Sequence, residues 1–268
     1  MRKSRASKKA DLKRMLCNPR FPRSAKYDPA WQIANEMGPN ALWLTEALCE
    51  TMELKPGMRV LDMGCGRAMS SIFLAKEFGV EVWANDLWIG ATDNWKRIRE
   101  AGVERSVFPI HAEAHALPYA DEFFDAIVSL DSYQYYGTDD IYLCDFLRFL
   151  KCGGQIGIVV PGLMRELGKK VPAHLTKKTP TGKQFWVAEC YCFHTVRWWR
   201  KLWSQTGLVD VELADALPDG WRDWLDFENV KLAVGPARHD GEAPALEADR
   251  GRWLGFVRMV ARKKRSAP

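Results

Sequence analysis

The sequence predicts an α/β protein with a doubly wound, seven-stranded and mostly parallel sheet, and three observations predict it. Apolar strand-like runs alternate with helical patterns from residue 58 to residue 160. The first of these strands runs straight into a glycine turn, Asp62-Met63-Gly64-Cys65-Gly66, that opens a helix. Two more strand-like runs lie towards the end of the chain and bring the strands to seven. In such a fold ligands sit in the crevice at the carboxyl ends of the strands.

The elements follow in order. Residues 1–14 carry Arg2, Lys3, Arg5, Lys8, Lys9, Lys13 and Arg14 against only Asp11. This reads as a basic, flexible arm over residues 1–26, Pro-punctuated from 18 to 29, ahead of one domain over 27–268. A helical pattern covers 39–52, and Pro56-Gly57 breaks it. Strands are expected at 58–61, 81–85, 107–111, 125–130 and 155–160. Helices are expected at 70–78, 88–101 and 140–150. Residues 161–192 are polar and then aromatic, which marks an insertion or lid. A helix resumes over 195–204, a strand over 208–213, a Trp-bearing helical region follows, and the last strand covers 254–261.

Composition narrows the function classes. The 268 residues are 47% hydrophobic and 27% charged, as in an ordinary globular protein large enough to fold without staples. No run of eighteen apolar residues predicts a membrane span, and the basic N-terminal stretch lacks a secretory core, so a cytoplasmic protein is expected. The seven cysteines are scattered without C-x-x-C spacing, which fits reduced thiols. Cys190 and Cys192 would share one face of a strand, and packing is the expected role. The net charge of +5 is concentrated in the arm, which leaves contact with nucleic acid open beside a solvated tail.

Three acids stand at three successive strand ends. Asp62 opens the glycine turn, Asp86 closes the second strand twenty residues past Gly66, and Glu113 follows the third. Gly64 and Gly66 allow a ligand to approach the backbone, and the helix start offers free N–H groups. A dinucleotide fingerprint would place Gly or Ala at 69, where Met stands, and no Gly-Lys-Ser/Thr phosphate loop is present. A carboxylate at Asp62 would repel pyrophosphate but suits a ligand with an ammonium group. The set therefore describes a cationic nucleoside, with Asp86 accepting from both ribose hydroxyls and Glu113 from an adenine amino group.

In order and spacing, LDMGCG, Asp86, the run from Ala112 to Tyr119, FFDAIVS and FLKCGGQI resemble the class I S-adenosylmethionine-dependent methyltransferases. Met37-Gly38-Pro39-Asn40 resembles the opening of the bacterial small-molecule branch related to cyclopropane-fatty-acid synthases, where Asp is usual at Glu113. The resemblance implies a Rossmann-like methyltransferase fold, S-adenosyl-L-methionine as cofactor and a small-molecule acceptor. It implies Asp62, Gly64, Cys65, Gly66 and Gly38 around the methionine part, and Asp86 and Leu87 at ribose and adenine. Glu113 and Ala114 would meet the adenine edge, and Leu130 the floor near the sulfonium.

Methyl transfer needs positioning, and a base only for some acceptors. Candidates for substrate contact or base are Tyr133 first, then Asp131, and Glu189 with His194 across the crevice mouth. Packing against the following helix is the competing role for Tyr133, and structural hydrogen bonding for His194. His111 and His115 flank Glu113, but H-A-E-A-H is not a helical zinc pattern, so no metal is expected. Two other functions stay open. One is methylation of RNA or protein through the basic arm, without an Asn-Pro-Pro-Tyr or catalytic Pro-Cys motif to support it. The other is a non-catalytic module that binds the cofactor.

Overall fold

The computed structural model describes residues 5–235 and 242–265, with side chains from residue 11 onward. In chain order the elements are α1 (Arg5–Leu16), α2 (Pro29–Ala34), α3 (Ala41–Cys49), β1 (Arg59–Met63), α4 (Met69–Phe78), β2 (Glu81–Asp86), α5 (Ala91–Glu100) and β3 (Val107–His111). Then come β4 (Phe124–Leu130), α6 (Tyr142–Phe146), β5 (Leu150–Leu163), α7 (Ala173–Thr176), α8 (Val196–Gln205), β6 (Val209–Ala216), α9 (Gly220–Val234), α10 (Glu242–Asp249) and β7 (Leu254–Lys263).

The seven strands form one sheet in the order β3-β2-β1-β4-β5-β7-β6. Neighbours from β3 to β5 are parallel, and β7 runs antiparallel to both β5 and β6. This is the doubly wound, mostly parallel seven-stranded sheet that the sequence predicts. The connections reverse side between β1 and β4, so a crevice opens at the carboxyl ends of these two strands.

Period-2 alternation sends the strand side chains into two apolar layers. Val60, Val82, Val107 and Ala126 meet Leu48, Ile72 and Ile98 from helices on one face. Leu61, Ile127, Ile156 and Ile158 meet Phe146, Trp199 and Trp203 on the other. Each such side chain, when fully buried, contributes roughly 1.5–3 kcal/mol. In α8 the buried Trp199, Leu202 and Trp203 fall at helical spacing, with Arg200 and Lys201 on the exposed side.

Three boundaries differ from expectation. Residues 11–26 are not a flexible arm: Leu16 and Phe21 are buried in the core, and Phe21 stacks on Trp43. Buried Glu46 accepts hydrogen bonds from the backbone N–H of Arg23 and Ser24 and from the Ser24 hydroxyl. Arg20 pairs with Asp223 on α9 at 2.7 Å. The dense lysines and arginines obscured these anchors; residues 1–4 lie outside the described residues.

The expected lid starts too early, because 161–163 belong to β5. Past the last β4 partner, Leu130↔Val159, the strand continues beside β7, pairing Pro161↔Phe256 and Leu163↔Leu254, and Leu163 also bridges Thr195. The segment from 164 to 194 holds only α7 and a short 3-10 turn, Ala188–Cys192. It packs through Leu175, Phe185, Trp186, Cys190 and Phe193, all buried. The expected helix over 140–150 is also shorter, since Leu150 already pairs with Phe124 in the sheet. Among the described residues no helix is long and apolar enough to cross a membrane.

Candidate active site

A cavity of about 330 Å³ opens at the switch point between β1 and β4. Its first wall is the glycine turn. Gly64 and Gly66 have φ of +75° and +54°, a region that favours glycine. A Cβ on Gly64 would run into the Ser132 hydroxyl, and one on Gly66 would come within 3.0 Å of Met37 Sδ. The turn is held from outside as well. Asp86 Oδ2 accepts from Gly66 N at 2.8 Å, and Asn94 of α5 donates to the Gly66 carbonyl at 2.9 Å.

Asp86 lines the cavity with its carboxylate already engaged. Oδ1 accepts from the N–H groups of Trp88 and Ile89, each at 2.8 Å. Three of about four lone-pair sites are thus taken by backbone, leaving one for a ligand hydroxyl rather than two. Glu113 also lines the cavity, but it accepts from His115 N and binds the His115 ring at 2.8 Å. That hydrogen bond to His115 holds the Glu113 carboxyl below its ordinary range.

Asp62 does not reach the cavity. It is fully buried beneath the turn, where its Oδ2 accepts from the hydroxyls of Ser70 and Ser71 at 2.6 Å each. Burial pushes its carboxyl up to about 6, against the pull of the two hydroxyls. Ser70 faces the cavity, so Asp62 acts on the site by fixing the start of α4. Its Oδ1 has no hydrogen-bond partner among the described residues.

The second wall follows β4. Leu130 and Asp131 line the cavity, with Ser132, Tyr135 and Tyr136. Tyr136 anchors the floor: its hydroxyl lies 3.0 Å from Ser129 Oγ and donates to the Met63 carbonyl at 3.3 Å. Asp131 has φ of +49°, a strained value for a non-glycine residue. Its Oδ1 accepts from Gln134 Nε2 at 3.2 Å, and its Oδ2 is so close to Gly38 that no Cβ would fit there. Burial, and next the charge of Glu242, push the Asp131 carboxyl up to about 7.

Three expected contacts lie off the cavity wall. Tyr133 is wholly buried, ringed by Tyr136, Tyr142, Phe146, Trp199 and Trp203. Its hydroxyl has no partner among the described residues. Glu189 is exposed on the 3-10 turn, because the apolar residues of that segment occupy its interior. His194 stacks on Trp198 at 3.6 Å between ring centroids, just ahead of the Thr195 cap of α8. Burial lowers its pKa, against the opposing charge of Glu166.

Of the expected ligand-binding residues, Gly38, Gly64, Cys65, Gly66, Asp86, Leu87, Glu113, Ala114 and Leu130 converge on the cavity. Trp88, Met37, Arg67 and Asn94 were not singled out as contacts. Trp88 is 74% exposed at the mouth, 6.2 Å from the Tyr135 ring. A tryptophan two places past a strand-ending acid was the available signal. His111 binds the Leu87 carbonyl, and among the described residues no group of His, Cys, Asp or Glu is arranged to hold a metal.

The wall carries the carboxylates Asp86, Glu113 and Asp131. Its two basic groups are engaged: Arg67 donates to the carbonyls of Ala34 and Glu36, and His115 is held by Glu113. The cavity therefore favours a cationic ligand.

Residues 60–154 match the family of methyltransferase domains. The chain is 29% identical over 155 residues to methyltransferase GfsG of Streptomyces halstedii, covering 56% of this chain and 53% of that one. It is 27% identical over 173 residues to phosphoethanolamine N-methyltransferase 1 of Arabidopsis thaliana, covering 64% of this chain and 33% of that one. The chain thus spans about half or less of these relatives' lengths. Its fold superposes on geranyl diphosphate C-methyltransferase of Streptomyces coelicolor A3(2) with a TM-score of 0.65 at 17% identity, covering 93% and 87% of the two chains. The matched residues 60–154 include the glycine turn at which the cavity lies.

Proposed function

With a methyltransferase domain around a carboxylate-walled cavity, we propose that the chain transfers the methyl group of S-adenosylmethionine to a small-molecule acceptor. The observation that carries this reading is the glycine turn clamped between Asp86 and Asn94 at the edge of that cavity. A side chain at Gly64 would collide with Ser132 and one at Gly66 would crowd Met37, so the turn keeps bare backbone on the cavity wall. S-adenosylmethionine supplies a methyl group already activated by its sulfonium.

The remaining work falls to residues of this chain. The turn and the start of α4, steadied by Asp62, would hold the methionine part. Asp86 offers its remaining lone-pair site to a ribose hydroxyl, and Leu87, Glu113 and Ala114 border the adenine. Leu130 and Tyr136 form a floor that excludes water, and Asp131 faces the acceptor side. Positioning and desolvation are the main demands of an in-line displacement. The Met37-Gly38-Pro39-Asn40 opening supports kinship with the branch related to cyclopropane-fatty-acid synthases, and the scattered cysteines support a cytoplasmic setting. The cavity's modest volume favours a small acceptor over RNA or protein.

Calorimetry tests the donor half of this reading. Wild-type protein is expected to bind S-adenosylmethionine and S-adenosylhomocysteine, and Asp86→Ala to weaken both at least about tenfold, the loss of one charge-assisted hydrogen bond and of the clamp. No binding by wild-type protein would overturn it.

A further inference from the structure

We propose that the acceptor is an apolar amine, recognised by the Asp131 carboxylate with Tyr135, Trp88 and Met37 beside its hydrocarbon body. This rests on the reading of the cavity as a methyl-transfer site and goes further by naming the acceptor's chemical class.

Asp131 is built for a cation. Its side chain lines the cavity, and among the described residues it forms no ion pair; its carboxylate accepts a hydrogen bond from the neutral amide of Gln134. Removing a carboxylate from water is costly unless a cation compensates. The position is also fixed twice over, by the left-handed backbone at residue 131 and by the close approach of Gly38. Lys231 of α9 holds that approach from behind by donating to the Gly38 carbonyl at 3.3 Å while pairing with Glu228. A strained, partly desolvated carboxylate facing a cavity has a ready use in binding an ammonium.

The surroundings select for the rest of the molecule. Tyr135 and Trp88 are 50% and 74% exposed where the cavity opens, and Met37 is 41% exposed. Aromatic faces and a thioether at the mouth suit hydrocarbon, and the rings suit a nearby cation as well. A phosphorylated acceptor is less well served, because the carboxylates Asp86, Glu113 and Asp131 outnumber the two basic groups of the wall, Arg67 and His115. The acceptors named for two relatives, phosphoethanolamine and geranyl diphosphate, are therefore not the expected ones.

The same carboxylate can prepare the nitrogen. An ammonium has no lone pair to offer. Its N–H proton passes to an Asp131 oxygen, the electron pair stays on nitrogen, and the protonated carboxyl then returns the proton to water. The raised affinity of Asp131 for protons suits that exchange near neutral pH.

Titration calorimetry with phenethylamine, hexylamine, 2-phenylethanol and phosphoethanolamine tests the proposal, on protein saturated with S-adenosylhomocysteine and on protein without it. The amines are expected to bind at least about tenfold tighter than the alcohol, the difference a charge-assisted hydrogen bond makes. Asp131→Asn should erase that margin while S-adenosylhomocysteine affinity stays within about twofold; this binding, with circular dichroism, reports that the variant is folded. Preference for phosphoethanolamine, equal binding of amine and alcohol, no amine binding, or an unchanged margin in Asp131→Asn would each overturn the proposal. Loss of S-adenosylhomocysteine binding by wild-type protein would instead count against the donor reading, and the titrations without it still decide the amine preference.

Discussion

The donor wall and the acceptor wall of the cavity are built by different means. The donor wall is made from consecutive pieces, β1 with its turn, then β2 and α5, joined by short backbone hydrogen bonds such as Gly64 N to Asn85 O. The acceptor wall is assembled from distant segments: Gly38 before α3, Asp131 after β4 and Lys231 on α9. In the proposed reading the first tolerates little variation, because atoms of its own backbone would meet the donor. The second can change its chemistry by changing one side chain, and that separates a shared donor from a variable acceptor.

The comparison is broken most severely at Gly64. Gly64→Ala would force a Cβ into Ser132 at a backbone conformation unfavourable to alanine. A cost of roughly 2–4 kcal/mol is expected from strain and displacement. Thermal melts should show a lowered Tm, and calorimetry a loss of S-adenosylhomocysteine binding of at least about thirtyfold. An unchanged affinity would mean that the turn does not touch the donor.

Asp131 sharpens the other side. Its carboxyl sits at about 7 in the folded protein, above the roughly 4 of an unfolded chain. The charge of Glu242 on α10 raises it, Asp131 in turn raises Tyr135 and the Cys192 thiol, and Gln134 and Lys231 on α9 lower it. Because the folded value is raised, ionisation opposes folding. The contribution of Asp131 therefore falls as pH rises from about 4 to 7 and stays low above that. Asp131→Asn should melt higher than wild type at pH 8, by roughly 3–6 °C, with the gap closing at pH 5. A gap of equal size at both pH values would show that the gain is not electrostatic.

The smallest effect is expected at Tyr133. Its hydroxyl is buried without a partner, so Tyr133→Phe removes an unsatisfied polar atom. Stability should hold or rise by about 1 kcal/mol, and turnover should stay within about twofold. A tenfold loss in kcat would return this tyrosine to the reaction.

What the sequence made legible follows the same division. The strand-ending acids and the glycine turn are readable because parallel α/β topology brings successive strand ends to one crevice. Even there, spacing alone could not show that Asp62 lies beneath the turn or that backbone groups occupy most of Asp86. On the acceptor side, Tyr133, Tyr135 and Tyr136 share one 3-10 turn and its flank, and only packing decides which of them turns inward. Tyr133 is claimed by Trp199 and Trp203, far along the chain on α8. Glu189 and His194 lie off the wall for a related reason: Phe185, Trp186 and Cys190 of the segment around them are drawn into the main core, which sets how that segment turns.

The placement of β7 between β5 and β6 has a consequence for synthesis. The five parallel strands β1 to β5 can pair in turn, since each one after β1 meets a neighbour already made. β6 cannot, because its sheet partner is β7, made after it. On the ribosome the protein should pass through a stage with an organised donor turn and an unpaired strand edge. Release of the residues from Leu254 onward would close that edge, so the window of exposure depends on how quickly the final strand clears the exit tunnel.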